Sequence, residues 1–170
     1  MDPILLSLRS APESEQRQTL TRCCGSSRWV EGMISSLEQL KSDHELLSYA
    51  DRLWATLKKE DFLEAFSHHP QIGADPEQIR KKFAATEGWS SDEQSGMSAA
   101  TTEVIDRLAQ GNRVYIERFG YLFIVCATGK SASEMLSLLE VRLNNDPEIE
   151  LYVAAAEQAK ITKLRLEKSG

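Results

Sequence analysis

The sequence predicts an all-α protein, a single-domain bundle of about eight helices. Apolar residues recur at three- and four-residue steps along most of the chain, which is the period of an amphipathic helix packed on a core. The length of 170 residues suits one domain with a sizeable core. Because no repeat, low-complexity tract or linker interrupts the chain, we expect residues 1–170 to form one helical domain, with residues 1–19 as a loosely packed N-terminal segment.

Three helices are predicted in the first half of the chain, each from a continuous apolar face. They are expected at residues 28–40, 44–57 and 60–68. The apolar faces are formed by Trp29, Met33, Leu37 and Leu40 in the first helix, by Leu46, Ala50, Leu53, Trp54 and Leu57 in the second, and by Phe62 and Phe66 in the third.

Helix-start signals predict further helices in the second half. Asp75 and Pro76 suit the N-cap and the first position of a helix, and Ser131 with Glu134 forms a Ser-x-x-Glu capping box. The helices are expected at residues 76–83, 98–108, 131–143 and 147–166. One side of the last helix is predicted to carry Leu151, Ala154, Ala155, Gln158, Ile161 and Leu164.

One segment does not show helical periodicity. Residues 121–127 are continuously apolar and lie between Gly120 and Gly129. Periodicity alone cannot distinguish a buried strand from a buried helix in so short a run. Because a single strand would have no partner, we expect a buried, partly irregular helical segment here.

The composition favours a cytoplasmic protein that binds neither nucleic acid nor a membrane. The net charge of −6 is opposite to the basic surface that nucleic acids and anionic membranes attract. No apolar run approaches the roughly 20 residues of a membrane helix. Cys23, Cys24 and Cys126 form neither a metal-binding spacing nor an even disulfide set, so a reducing compartment and no bound metal are expected.

Two adjacent histidines stand where a helix must end. Pro70 disfavours the α conformation for the residue before it, so the helix that contains His68 is predicted to end near His69. Successive helical residues point about 100° apart, so the two imidazoles cannot share a face. His69 then suits proton transfer, because an imidazole titrates near neutral pH. The alternative is that both histidines only cap the carbonyl end of the helix.

The run W-S-S-D-E-Q at residues 89–94 is a second candidate for chemistry. Ser90 with Glu93, and Ser91 with Gln94, each fit a capping box, so a helix start explains them without any function. The alternative is functional: a hydroxyl, a carboxylate and an amide would converge beside an imidazole and orient a polar substrate.

Several motifs in order resemble one family, the 2-oxo-4-hydroxy-4-carboxy-5-ureidoimidazoline (OHCU) decarboxylases of urate breakdown. The resemblance extends from about residue 20 to residue 166, and C-C-G-S-S at residues 23–27 is similar to the plant type. The motifs are H-P-Q-I-G at 69–73, S-S-D-E-Q at 90–94, E-R-F-G-Y-L-F-I-V-C-A-T-G-K-S at 117–131 and E-Q-A-K-I-T-K-L-R-L at 157–166.

The resemblance implies an all-helical, cofactor-free carboxy-lyase that converts OHCU to (S)-allantoin and carbon dioxide, the last step from urate. It also implies a homodimer that is coupled functionally to urate oxidase and hydroxyisourate hydrolase. The alternatives are a non-catalytic helical binding module, or a related lyase or hydrolase on the same scaffold.

The resemblance assigns site residues position by position. The catalytic pair falls on His69 and Glu93, and no metal ligand is implied. Because the loop before Glu93 is a few residues longer than in short members, Ser91 is an alternative to Ser90. Arg165 is a candidate carboxylate partner on chemical grounds. The implied substrate contacts are Pro70, Ser90, Gln94 and the backbone of Ile124, Val125, Cys126, Ala127 and Thr128.

Overall fold

The structure, a computed structural model, describes residues 2–69, 75–87 and 99–170. Within these residues it contains nine helices and no strand, which confirms the all-α class. None of the helices in this part of the chain has the length and apolarity needed to cross a membrane. The helices are α1 (Pro3–Ser10), α2 (Glu13–Cys23), α3 (Ser27–Ser36), α4 (Asp43–Ala55), α5 (Lys59–Ser67), α6 (Pro76–Glu87), α7 (Ala99–Phe119), α8 (Ala132–Arg142) and α9 (Pro147–Lys168).

The chain divides into two compact units. The first unit comprises Met1–His69, Ile124–Cys126 and Val153–Gly170. The second comprises Pro70–Phe123 and Ala127–Tyr152. Helix α9 therefore begins in the second unit and ends in the first, and the organisation as one domain stays a prediction.

The core of the first unit is built from α1 to α5 and the C-terminal part of α9. The indole N–H of Trp29 donates to the Ala50 carbonyl at 3.1 Å, and that of Trp54 donates to the Ala155 carbonyl at 2.9 Å. Both tryptophans therefore bury their rings without leaving a polar atom unsatisfied. The fully buried large side chains of this unit include Leu20, Trp29, Met33, Leu46, Phe66 and Leu166.

The N-terminal helix buries one apolar face and is capped by a residue of α4. Ile4, Leu5 and Leu8 are buried on one face of α1. The carboxylate of Asp43 accepts hydrogen bonds from the backbone N–H groups of Ile4 and Leu5 at 3.1 and 2.9 Å. The N–H groups in the first turn of a helix have no acceptor within that helix. Asp43, a residue of α4, therefore caps α1.

In the second unit, α7 packs on α8 at a glycine. A Cβ atom added to Gly111 would lie 2.6 Å from Cδ2 of Leu139, so the Leu139 side chain packs into the space that a larger residue at position 111 would fill. The helix continues through Gly111 to Phe119, whereas the sequence predicted an end at Leu108. The glycine thus meets a packing requirement and does not stop the helix.

A buried ion pair joins α8 to the first turn of α9. Nη2 of Arg142 lies 2.5 Å from Oε2 of Glu150, and both side chains are almost fully buried. Oε2 of Glu150 also accepts from the Tyr115 hydroxyl of α7, and Oε1 accepts from Asn145 at 3.0 Å. The guanidinium of Arg142 stacks over the Phe123 ring at 4.5 Å from its centroid.

Residues 121–127 adopt no helix, so the prediction of a helical segment was wrong, although the predicted irregularity is present. Ile124 and Cys126 are buried, while the intervening Val125 is partly exposed. Gly120 and Gly129, on either side, have φ values of +86° and +76°, which L-residues rarely adopt. These two glycines explain why neither the preceding nor the following helix extends into the segment.

Candidate functional site

The end of α5 fixes the position of His69. The helix ends at Ser67 and His68 is its C-cap, in agreement with the predicted end next to Pro70. The backbone N–H groups of His68 and His69 donate to the carbonyls of Ala65 and Phe66, both at 3.2 Å. Backbone amides therefore complete the last turn, and the two imidazoles are not required for that purpose.

The ring of His69 contacts the last helix. Its Nε2 lies 2.5 Å from Oε1 of Gln158, a residue of α9 that is 1% exposed. A charge-neutral amide that is buried must find hydrogen-bond partners, and His69 supplies one. The capping alternative does not account for this contact, because it joins residues 89 positions apart.

The hydrogen bonds continue from Gln158 into the end of α2. Nε2 of Gln158 donates to Oγ1 of Thr162, one turn further along α9, at 3.0 Å. The Thr162 hydroxyl donates to the backbone carbonyl of Cys23 at 3.3 Å. Cys23 is the last residue of α2, so its carbonyl has no acceptor role within that helix. His69 is thus connected to α2 through two buried polar side chains of α9.

Two buried thiols lie beside this network. Burial raises the pKa of the Cys23 thiol to about 11 and that of Cys24 to about 12. Both are therefore protonated at neutral pH. A thiolate is the reactive form of cysteine, so these residues are poor nucleophiles and serve as packing groups here.

The segment after α2 packs tightly against the end of α5. A Cβ atom added to Gly25 would lie 2.3 Å from Cγ of His68, so the His68 ring occupies the space of a missing side chain. One turn before His68, Glu64 accepts hydrogen bonds from the Ser27 amide at 2.8 Å and the Ser27 hydroxyl at 2.6 Å. These bonds lower the pKa of Glu64. The run C-C-G-S-S therefore holds the turn that carries both histidines.

The irregular segment is tied to α9 one residue before Gln158. The backbone N–H of Cys126 donates to Oε1 of Glu157 at 3.1 Å, and Oε2 of Glu157 lies 2.5 Å from Nζ of Lys160. The Cys126 amide, a predicted substrate contact, is thus used within the protein. In the second unit, the carbonyl of Ala127 accepts from the Lys130 amide at 3.0 Å. For all five residues from Ile124 to Thr128, the predicted backbone contacts with substrate stay predictions.

A family model described as OHCU decarboxylase matches residues 9–167. The chain belongs to this family. It is 41% identical over 148 residues to the uric acid degradation bifunctional protein TTL of Arabidopsis thaliana, covering 86% of this chain and 44% of that protein. The chain spans between 30% and 55% of the length of three of the curated relatives that it matches.

Two solved structures share the fold of this OHCU decarboxylase family member. One is a crystal structure of OHCU decarboxylase in the presence of (S)-allantoin, with 37% identity, a TM-score of 0.69, and coverage of 87% of this chain and 94% of that chain. The other, a crystal structure of (S)-allantoin synthase, has a TM-score of 0.70 and covers 97% of this chain and 53% of that one. At 20% identity, the second shows the fold alone.

Of the remaining predicted site residues, the structure describes only Arg165. Pro70, Ser90, Glu93 and Gln94, with the alternative Ser91, lie outside the described residues. Arg165 is described: its Nη1 donates to the carbonyl of Arg22 at 3.1 Å, at an exposed position on α9. Among the side chains that the structure describes, no group of three or more His, Cys, Asp or Glu residues could hold a metal ion.

Sequence reasoning did not assign Glu157, Gln158 or Thr162 to the site. A signal was present in the pattern of α9, because Gln158 is a polar residue within a stripe that is otherwise apolar. A polar side chain at a buried helical position needs a partner, and this requirement marks it as a candidate. Thr162, one turn later, was obscured because Ile161 was assigned to the buried face instead, whereas Thr162 is the buried residue.

Proposed function

We propose that this protein is a carboxy-lyase that converts OHCU to (S)-allantoin and carbon dioxide. The observation that carries the proposal is the family match over residues 9–167. The crystal structure of OHCU decarboxylase in the presence of (S)-allantoin supports it, because this chain covers 94% of that one at 37% identity. The hydrogen-bonded His69 adds a candidate proton-transfer group within the matched region.

The reaction needs orientation and proton transfer. The breaking carbon–carbon bond joins the carboxylate to a carbon that also bears a hydroxyl. Its electron pair moves into the adjacent C=N bond of the ring, the nitrogen of that bond takes up a proton, and the departure of carbon dioxide leaves an enol. The hydroxyl then loses its proton to become a carbonyl, and a proton is added to the ring to form the new carbon–hydrogen bond. A protein accelerates these steps by aligning the substrate and stabilising the developing negative charge.

His69 is the proposed proton-transfer group, either for the substrate hydroxyl or for the new carbon–hydrogen bond. Glu93 is proposed to orient His69 or the hydroxyl. Ser90 and Gln94 are proposed to hold the ureido and carbonyl groups, and Pro70 is proposed as a further substrate contact. Arg165 is proposed to attract the substrate carboxylate. The support for His69 is the buried partner that fixes one side of its ring.

A coupled assay tests the proposal. Urate oxidase and hydroxyisourate hydrolase generate OHCU from urate in the cuvette, and circular dichroism follows the allantoin formed. With this protein, we expect rapid growth of a circular dichroism signal of one sign, as a single enantiomer of allantoin gives. His69→Ala is expected to lower the rate about 100-fold or more, whereas the matched control His44→Ala, at an exposed position on α4, is expected to keep it. Slow formation of racemic allantoin by folded wild-type protein would instead favour a non-catalytic binding module.

The proposal extends to partners and assembly. We expect urate oxidase and hydroxyisourate hydrolase to supply the substrate, a cytoplasmic location, and a homodimer. Light scattering after gel filtration tests the dimer, since one chain has a mass of 19.1 kDa. A mass equal to that of one chain would refute this part without affecting the reaction.

A further inference from the structure

The donor and acceptor of each hydrogen bond around His69 follow from the backbone carbonyl of Cys23, which ends the series that runs through Gln158 and Thr162. The Cys23 carbonyl can only accept, so the proton of the Thr162 hydroxyl points to it. The Thr162 oxygen is then an acceptor for its other neighbour. That neighbour is the amide of Gln158, which therefore turns its NH₂ group toward Thr162.

The orientation of Gln158 determines what His69 does. With its NH₂ group on Thr162, Gln158 presents Oε1 to the imidazole at 2.5 Å. An amide oxygen has no proton to give. Nε2 of His69 must therefore carry the hydrogen. In the neutral ring the lone pair then lies on Nδ1.

Because the groups are buried, the opposite orientation of the Gln158 amide is energetically unfavourable. Gln158 and Thr162 are both buried, and so is the Cys23 residue whose carbonyl ends the network. Turning the Gln158 amide over would place its NH₂ group against Nε2 and require Thr162 to donate to Gln158. The Cys23 carbonyl would then lose its donor in a buried setting, which is costly.

We propose that Gln158 and Thr162 are positioning residues that hold His69 as the Nε2–H tautomer and so orient its ring for proton transfer with the substrate. The part concerning substrate rests on the proposed decarboxylase function. The part concerning the tautomer does not.

Several charged and titratable groups lie near the network. The Cys24 side chain also hydrogen-bonds Thr162. Burial raises the pKa of both the Cys23 and the Cys24 thiols, so the Cys24 thiol is protonated at neutral pH and can donate to the Thr162 oxygen, which leaves the hydroxyl proton for the Cys23 carbonyl. The guanidinium of Arg165 interacts electrostatically with both thiols. The carboxylate of Glu157 is bound by the Cys126 amide and Lys160. His68, the neighbour of His69, packs on Gly25.

Nitrogen NMR tests the tautomer without any substrate. In ¹⁵N-labelled wild-type protein, above the pH at which His69 titrates, Nε2 is expected to show the shift of a protonated ring nitrogen and Nδ1 that of an unprotonated one. The His69 signals are assigned by their loss in His69→Gln. The opposite pattern, with the proton on Nδ1, would overturn the proposal.

Two substitutions at Thr162 test the relay. Thr162→Val removes the hydroxyl at nearly constant shape, whereas Thr162→Ser keeps it. The Nε2–H proton is expected to exchange with water faster in Thr162→Val than in Thr162→Ser, and kcat of the valine variant is expected to be about 5-fold lower. Equal proton exchange and equal kcat in the two variants would refute the relay.

Substitution of Gln158 itself separates positioning from folding. Gln158→Met is expected to lower kcat about 10- to 100-fold with little change in KM, while Lys163→Met, an exposed control on the same helix, is expected to retain activity. Gln158→Glu places a carboxylate on Nε2 and is expected to raise the His69 pKa by about one unit or more. The acidic limb of the kcat profile would then move to higher pH, which a purely structural role would not produce.

The outcomes separate the two proposals. Wild-type protein without decarboxylase activity would refute the proposed function, while the NMR measurement would still decide the tautomer. Active wild-type protein whose pH profile and Nε2–H exchange are unchanged by Gln158→Glu and Thr162→Val would refute the positioning role alone. If Gln158→Met fails to fold, the Thr162 pair and the wild-type tautomer decide the matter.

Discussion

The buried carboxylate of Glu150 allows the energetics of the second unit to be tested directly. In Glu150→Gln the shape is kept, but one carboxylate oxygen is replaced by an NH₂ group. In the wild-type protein, Oε2 of Glu150 accepts hydrogen bonds from Nε and Nη2 of Arg142, at 2.9 and 2.5 Å, and from the Tyr115 hydroxyl. After the substitution, donors face donors, and the buried guanidinium of Arg142 loses the carboxylate of Glu150.

The magnitude follows from the burial of the pair. The side chains of Arg142 and Glu150 are 7% and 0% exposed. Breaking such a buried pair from one side costs about 3–5 kcal/mol. For a chain of this size, each kcal/mol lowers Tm by about 2–4 °C, so a fall of roughly 6–20 °C is expected.

An exposed ion pair on α7 and α8 provides the matched control. Nη2 of Arg107 lies 2.8 Å from Oε1 of Glu140, but their side chains are 51% and 50% exposed. Because solvent screens such a pair, Glu140→Gln is expected to cost at most about 1 kcal/mol. Urea unfolding followed by circular dichroism at 222 nm measures both variants. Equal losses of unfolding free energy in the two variants would refute the reasoning from burial.

Three further predictions concern the first unit. Gly25→Ala forces a Cβ atom to 2.3 Å from the His68 ring, so we expect both a lower Tm and a lower kcat, and an unchanged kcat would contradict the role of this segment in placing the histidines. The thiols of Cys23 and Cys24, with pKa values raised to about 11 and 12, should resist alkylation at pH 8 until the protein is unfolded; prompt native-state labelling would show otherwise. Hydrogen bonds from Ser27 lower the pKa of Glu64 in the folded state, so the stabilisation by the Glu64 carboxylate is present above pH 4.5 and is lost as the pH falls through the folded pKa. The Tm difference between wild type and Glu64→Gln should therefore shrink at low pH, and a constant difference would refute this role of Glu64.

Much of the helical architecture could be predicted because its signal is local. The apolar steps at Trp29, Met33 and Leu37 predict the buried face of α3, and all three are buried. Helix α2 was not predicted, since its sequence is mostly polar and buries only Leu20 and Cys23. The full length of α7 was missed because a glycine inside a helix looks like a helix end until its packing partner is known.

The candidate site was only partly predictable, for a related reason. Pro70 and the two histidines are adjacent in sequence, so the turn that carries His69 could be predicted from local rules. The partner of its ring is 89 residues away, and no local pattern specifies such a contact. A buried polar residue on α9 indicated that some partner exists, but only the tertiary structure identifies it as His69.

The hydrogen bonds that orient His69 also place a limit on when the site can form during synthesis. They join residues separated by 89 positions, at His69 and Gln158, and by 139 positions, at Cys23 and Thr162. A ribosome releases these residues in order, so α2 and the histidine turn are synthesised well before α9 emerges. Contacts of such long range form late, because the chain between them must first be closed into a loop. A nascent or truncated chain that lacks α9 would therefore have its histidine but not the groups that set its proton.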